Sequence, residues 1–323
     1  MLRIGYSLSS EEHGPNDLIR FAQQAEEAGF TFALISDHFH PWIEGQGQSP
    51  FVWAVIGGIA RATEELQLGT GVTAPITRIH PAIVAQAAAT AAVMMPGRFF
   101  LGVGTGENLN EHILGGEWPS HRQRLETLEE AVEIMRLLWS GGTQSFRGRH
   151  YTVDRARIYT LPEVPPPILV AARGERAVEL AGRIGDGLIG VGPDADLIRR
   201  FEKAGGEGKP RYGQVHVCWA ESEAEARRIG HDWWPNSALK GNLLVDLATP
   251  EEFERAAESI TEDDVADSVT CGPEPERHLQ TLREYAEAGY DHIYVHQVGP
   301  EQDGFFRFYG TEVLPRIREA LES

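Results

Sequence analysis

A (β/α)8 TIM barrel is the α/β fold that this sequence predicts, on three observations. Short apolar runs rich in β-branched and aromatic residues alternate with longer stretches of helical period, the pattern of βαβ units in a parallel sheet. Eight such units can be counted, and prolines and glycines fall where the helices would start and stop. The whole chain, 1–323, fits one barrel domain, because barrels run long as single units.

The strands are expected at Leu2–Leu8, Phe32–His38, Leu66–Ala74, Phe99–Gly106, Ile168–Ala172, Gly187–Gly192, Val215–Ala220 and His292–Gly299. Pro15 and Pro81 stand where a first helical residue belongs, and Gly29, Gly182 and Gly289 where a helix would end. Ala25-Glu-Glu-Ala-Gly-Phe30 and Ala286-Glu-Ala-Gly-Tyr290 repeat one helix-to-strand turn. A helix over Arg122–Trp139 carries Leu125, Leu128, Val132, Met135 and Leu138 as a stripe that should face the sheet. Two segments exceed a bare barrel: a hairpin-like insertion at Phe146–Pro162, within 143–165, and an excursion over 231–275 containing Trp233-Trp234-Pro235. Long insertions on barrel loops shape pockets and lids.

Composition narrows the class of function. A formal net charge of −19 argues against nucleic acid and anionic membranes, whose binding rests on clustered basic residues. Of the basic residues only Lys203, Lys209 and Lys240 are lysines, so the positive charge is carried by arginine, which suits bidentate contact with carboxylate or phosphate. Cys218 and Cys271 form no CxxC or Cys/His pattern, which suggests neither a disulfide framework nor zinc. No apolar run reaches the ~18 residues of a membrane span, and the N-terminal residues lack a signal-peptide pattern, so a cytoplasmic protein acting on a small molecule is expected.

Four motifs fall at strand ends, where barrels keep their active sites. Ser36-Asp-His-Phe-His-Pro-Trp42 follows the second strand, and its His38 and His40 invite a metal-dependent hydrolase reading. Gly102-Val-Gly-Thr-Gly106-Glu107 ends the fourth strand. It fails the dinucleotide fingerprint because Glu107 holds the third glycine's place, but small residues there still let a flat ligand approach the backbone. Arg173-Gly-Glu-Arg-Ala177 joins the fifth strand to a helix start, a place suited to phosphate. Gly69-Thr-Gly71-Val-Thr-Ala-Pro75 ends the third strand, with Gly71 marking a bulge or close ligand approach.

Together with Pro81-Ala-Ile-Val-Ala-Gln86, Pro96-Gly-Arg-Phe-Phe-Leu101 and Ala181-Gly-Arg-Ile-Gly-Asp-Gly187, these motifs resemble the luciferase-like family dependent on the deazaflavin coenzyme F420. Within it they are most similar to the glucose-6-phosphate dehydrogenases and their alcohol dehydrogenase cousins. The resemblance implies a bacterial-luciferase-like barrel with the coenzyme across its mouth and hydride transfer as the reaction. It implies His38 as the proton acceptor of a substrate alcohol, Glu107 as the acid managing a proton on the coenzyme ring, and Trp42 as an aromatic wall. Coenzyme contacts would come from Asp37, the Gly71–Val72 backbone with a cis bond, Ala74, Asn110, and the turn Ala172, Arg173, Gly174, Glu175, Arg176 and Ala177.

Two departures bear on ligands. Ala74 stands where the sugar-phosphate enzymes carry a hydroxyl residue, and Gly190-Val-Gly-Pro-Asp194 lacks the lysine that grips a sugar phosphate, although Lys240 lies in the insertion. A small neutral alcohol, carbonyl or activated alkene is therefore expected, with glucose 6-phosphate as the alternative substrate and FMN as the alternative coenzyme. The resemblance also implies a homodimer, for which the apolar helix Phe51–Ala60 with Trp53 is a candidate contact.

Overall fold

The computed structural model describes residues 2–317, so the outermost positions of the expected 1–323 domain lie outside the described residues. Eleven strands are formed among them: β1 (Arg3–Leu8), β2 (Phe32–Ile35), β3 (Gln67–Thr70), β4 (Phe99–Val103), β5 (Gln144–Arg147), β6 (Thr152–Ala156), β7 (Ile168–Ala171), β8 (Gly187–Val191), β9 (Arg211–Cys218), β10 (Thr270–Cys271) and β11 (His292–Gln297). The order β9-β11-β1-β2-β3-β4-β7-β8 is closed by pairing of β8 with β9, and every ladder in it is parallel. This is an eight-stranded parallel barrel with helices around it, as the alternating pattern predicts.

The barrel is filled by Phe32, Leu34, Phe100, Leu169, Ile189, Tyr212 and Tyr294, while a larger apolar layer joins the strands' outer faces to the helices. Large interior rings need small neighbours. A Cβ on Gly5 would lie 2.4 Å from the Phe32 ring, and one on Gly69 would lie 2.0 Å from the Phe100 ring. The repeated helix-to-strand turn forms twice: Gly29 (φ 95°) and Gly289 (φ 107°) are left-handed, and the amides of Phe30 and Tyr290 close back on Ala25 and Tyr285.

Three expectations change. Gly182 does not end its helix but lies inside Glu175–Ile184, where a Cβ would come within 2.6 Å of Ala204 Cβ; it is a packing glycine, and the cap is Gly185. The seventh barrel strand begins at Arg211 rather than Val215, because Arg211 pairs with Asp291 and Glu202 and Gln214 turns inward, polar choices that hide strand character. The helix expected at Arg122–Trp139 starts one residue earlier at His121, capped by Ser120, with Leu125 only partly buried in the stripe.

The first insertion is the antiparallel hairpin of β5 and β6. The second contains the helices Leu243–Asp246, Pro250–Ala257 and Glu262–Ala266 and ends in β10, which pairs with β9 outside the closed barrel. It builds its own apolar cluster around Trp234, Val265 and Val269, and a second one in which Phe253 meets Trp42, Ile43 and Leu109. The second cluster draws this excursion over the ends of β2 and β4. No described helix is long and apolar enough to cross a membrane.

His278, on the helix Pro275–Ala288, is fully buried between the Gly272 carbonyl and the Tyr309 hydroxyl. Burial pushes its pKa down from 6.5 to about 4, so it stays neutral in the fold. Between those values the unfolded chain binds a proton that the folded chain refuses, so acid favours unfolding there and has no such effect above the ordinary value. Denaturant midpoints at about pH 7 and about pH 4.5 should show an acid loss smaller by roughly 2 kcal/mol in His278→Gln than in the wild type. Equal losses would contradict it.

Candidate active site

His38 sits just beyond β2, with its side chain 9% exposed. Its Nδ1 lies 3.1 Å from the His40 carbonyl, which can only accept, so Nδ1 donates there and Nε2 is the nitrogen left to exchange a proton. Nε2 lies 3.2 Å from Glu11 Oε1 and 3.9 Å from Glu107 Oε2. Glu11 is buried and fixed through its other oxygen by the hydroxyls of Ser9 (3.1 Å) and Ser36 (2.5 Å). An imidazole that can take a proton thus has one buried carboxylate beside it and one half-exposed carboxylate further out.

Trp42 packs against His38 at 4.9 Å between ring centroids and edge-on against Phe253 at 5.2 Å. Its backbone N–H donates to Gln46 Oε1, while Gln46 Nε2 donates to the Trp233 carbonyl, which ties the β2 loop to the late insertion. Glu107 stands at the N-cap position of the short helix Asn108–Glu111, where its carboxylate accepts from Asn110 Nδ2 rather than from the helix amides.

The structure brings His38, Trp42 and Glu107 together, and the side chains of Asp37 and Asn110 make hydrogen bonds within the protein. Asn110 is 2% exposed, and its Oδ1 accepts from the backbone N–H groups of Phe39 and His40, bracing the loop that carries His38. The Asp37 carboxylate is 1% exposed and lies between Arg78 Nη2 (2.8 Å) and the Thr73 hydroxyl (2.7 Å). Arg78 also faces Glu111 at 3.7 Å, too long for a hydrogen bond, and burial pushes the Glu111 carboxyl up despite amide bonds from Thr77 and Arg78. The acid–arginine–acid row locks three loops. Removing one member would leave a buried charge unpaired.

The Gly71–Val72 peptide bond is cis, as the resemblance implies. β4 lies close against this bulge: a Cβ on Gly102 would meet the Thr70 carbonyl at 2.0 Å, and one on Gly104 would meet Val72 at 2.7 Å. The glycines of the fourth strand are therefore required first by strand-to-strand packing. Ala74 is buried, near Gly106.

Across the rim, Ala172 and Ala177 are buried while Arg173, Gly174, Glu175 and Arg176 are exposed at the start of the helix Glu175–Ile184. No side chain caps this helix, a Cβ on Gly174 would meet nothing within 4 Å, and Glu175 is held aside by Arg200 at 2.7 Å. Open amides flanked by two exposed arginines fit a phosphate. Asp194, the acid after the sixth barrel strand, is spent capping the helix Ala195–Phe201.

The metal reading finds no support in the geometry. His38 and His40 take different partners, since His40 Nδ1 faces the Leu109 carbonyl and its ring stacks on His112. Among the described residues no group of three or more His, Cys, Asp or Glu side chains is arranged to hold a metal ion.

Sequence reasoning missed Glu11 and Arg78. The signal for Glu11 was the run Ser9-Ser-Glu-Glu-His13 directly after β1: five polar residues at a barrel rim, all buried. The signal for Arg78 is weaker, since its partners lie in other loops.

Comparison with known proteins gives the family and the fold. The luciferase-like monooxygenase family matches residues 2–292. An F420-dependent glucose-6-phosphate dehydrogenase of Microbacterium testaceum is 37% identical, covering 98% of each chain, and one of Kribbella flavida is 37% identical, covering 98% of this chain and 99% of that one. Among solved structures, an F420-dependent secondary alcohol dehydrogenase in complex with an F420-acetone adduct superposes with a TM-score of 0.91 at 29% identity, covering 97% of this chain and 98% of that one. The F420-dependent tetrahydromethanopterin reductase of Methanopyrus kandleri, 19% identical, shares the fold with a TM-score of 0.78. The chain belongs to the luciferase-like monooxygenase family, and the two relatives 37% identical to it over their full length are F420-dependent glucose-6-phosphate dehydrogenases.

Proposed function

We propose that this oxidoreductase transfers hydride between an alcohol carbon and coenzyme F420, with His38 taking the hydroxyl proton. The observation that carries the reading is the placement of His38: Nδ1 is committed to the His40 carbonyl, which leaves Nε2, beside the Glu11 carboxylate, as the nitrogen that exchanges a proton. As hydride leaves the carbinol carbon and the C=O bond forms, the hydroxyl proton passes to Nε2. Glu11, 3.2 Å away, stabilises the imidazolium that results. Glu107, half-exposed at 3.9 Å, is placed to exchange a proton on the coenzyme side, and Trp42 forms an aromatic wall beside the reacting carbon.

When bound, F420 supplies a carbon that takes up hydride as a two-electron partner. In this chain the open amides of the Arg173–Ala177 turn suit its phosphate, and the Gly71–Val72 backbone with Ala74 suits its ring. The F420-dependent relatives support the choice of coenzyme.

For the substrate, Trp42, Phe253, Leu239, Leu244 and Leu247 pack together where the insertion overlies the rim, which favours a neutral alcohol or carbonyl. Glucose 6-phosphate is the second reading, favoured by the names of the relatives. A homodimer is also part of the proposal. Phe51 (61% exposed) precedes the helix Val52–Ala62, and Ile83 (58%) and Met94 (40%) lie on the neighbouring helix Pro81–Met94, giving an apolar outer face. Sedimentation of the wild type is expected to give a dimer and that of Phe51→Glu/Ile83→Glu a monomer; a monomeric wild type contradicts it.

Reduction of F420 by a secondary alcohol, followed by loss of the coenzyme's absorbance, tests the reaction. His38→Ala is expected to lower kcat by roughly 10²–10⁴-fold while F420 affinity is kept. Undiminished turnover in that variant would remove His38 from its role, and faster turnover of glucose 6-phosphate than of any neutral alcohol would move the substrate to the second reading.

A further inference from the structure

Glu11 and Glu12 follow β1 in succession, and β1 lies between β2 and β11. The two carboxylates go opposite ways. Glu11 reaches His38 beyond β2, while Glu12 reaches His296 on β11, with Oε2 2.5 Å from Nε2 and Oε1 accepting the Gly299 amide at 2.8 Å. The chain continues, since His296 Nδ1 lies 2.9 Å from His216 Nδ1 on β9.

Tyr212 and Tyr294 belong to the barrel interior, so the two-residue period of β9 and β11 places His216 and His296 on the same inward face, nearer the C-terminal rim. Both therefore belong to the mouth onto which His38 opens. His296 is 1% exposed, whereas His216 is half-buried under Trp234 at 5.7 Å. Nδ1 of His216 is taken by His296, and Nε2 makes no hydrogen bond among the described residues. A polar network that served only to tie β1, β11 and β9 together would end on protein. This one ends on an available nitrogen at the opening.

We propose that His216 binds a second oxygen function of the substrate, so that the molecule turned over carries a hydroxyl or carbonyl beyond the one that reacts at His38. Burial, the facing imidazole and Arg173 keep the His216 ring neutral. Glu12 can only accept from His296 Nε2, so a single proton lies between the two Nδ1 atoms. If His296 gives it, His216 Nε2 is a donor; if His296 receives it, Nε2 is an acceptor. A hydroxyl satisfies either arrangement, which makes a diol or polyol the favoured class. His216 is thus a specificity-determining residue, and Glu12 and His296 position it.

The inference rests on the hydride-transfer reading, so F420 titration of the wild type comes first: failure to bind F420 would sink that reading and this one with it. With F420 bound, histidine nitrogens of the labelled protein are followed by NMR during titration with propane-1,2-diol and with propan-2-ol, His216 being assigned through His216→Phe. The expected result is that the diol moves the His216 signals and propan-2-ol does not. The ratio of kcat/KM for the diol over propan-2-ol should fall roughly tenfold in His216→Phe and recover partly in His216→Gln, the change expected for one lost neutral hydrogen bond. A bound coenzyme with His216 signals that neither probe moves, or an unchanged ratio in His216→Phe, overturns this inference alone.

Discussion

A closed barrel of eight parallel strands sends every strand out at one rim, and the chemistry of this chain depends on that constraint. Below the rim the interior is apolar and aromatic, filled by rings for which strand glycines leave room. Above it, the inward positions of β2, β9 and β11 become polar, so imidazoles from distant parts of the sequence meet carboxylates from the end of β1. The dry floor matters to that upper layer. In low dielectric a carboxylate beside an imidazole acts more strongly than in water, and it must be paired to be tolerated.

That requirement explains why the site is so heavily braced. Glu11 is fixed by two serine hydroxyls, Glu12 by an amide and an imidazole, and Asp37 by Arg78 and Thr73. Each brace links a different pair of strand ends. Bracing of this kind keeps His38 in one place, with Nδ1 on the His40 carbonyl, without help from a ligand. The late insertion adds cover, since its Phe253 closes on Trp42 and Gln46 bonds to its backbone.

The barrel was legible because buried parallel strands are apolar on both faces and stand out as short runs between helical periods. The exception, the start of β9, shows the limit of that signal. Arg211 and Gln214 are polar for tertiary reasons, an ion pair with Asp291 and an inward turn, that no local window contains. In the site, His38, Trp42, Glu107 and the Arg173–Ala177 turn were legible because each falls within a short motif at a strand end. Glu11, Glu12 and His216 were not, since their partners are far apart in the sequence and a polar run after a strand looks like any solvated loop. Asp37 and Asn110 were visible, but their bracing role depends on Arg78 and the Phe39 amide, which only the folded chain brings near.

The central claim is that Nε2 of His38 accepts the substrate proton, and chemical rescue tests it most directly. In His38→Gly saturated with F420 and an alcohol, added imidazole should restore turnover in proportion to its free-base concentration, because the cavity left beside Glu11 admits a mobile base. A variant that binds F420 as tightly as the wild type yet stays indifferent to imidazole, while turning over at the wild-type rate, would contradict the account.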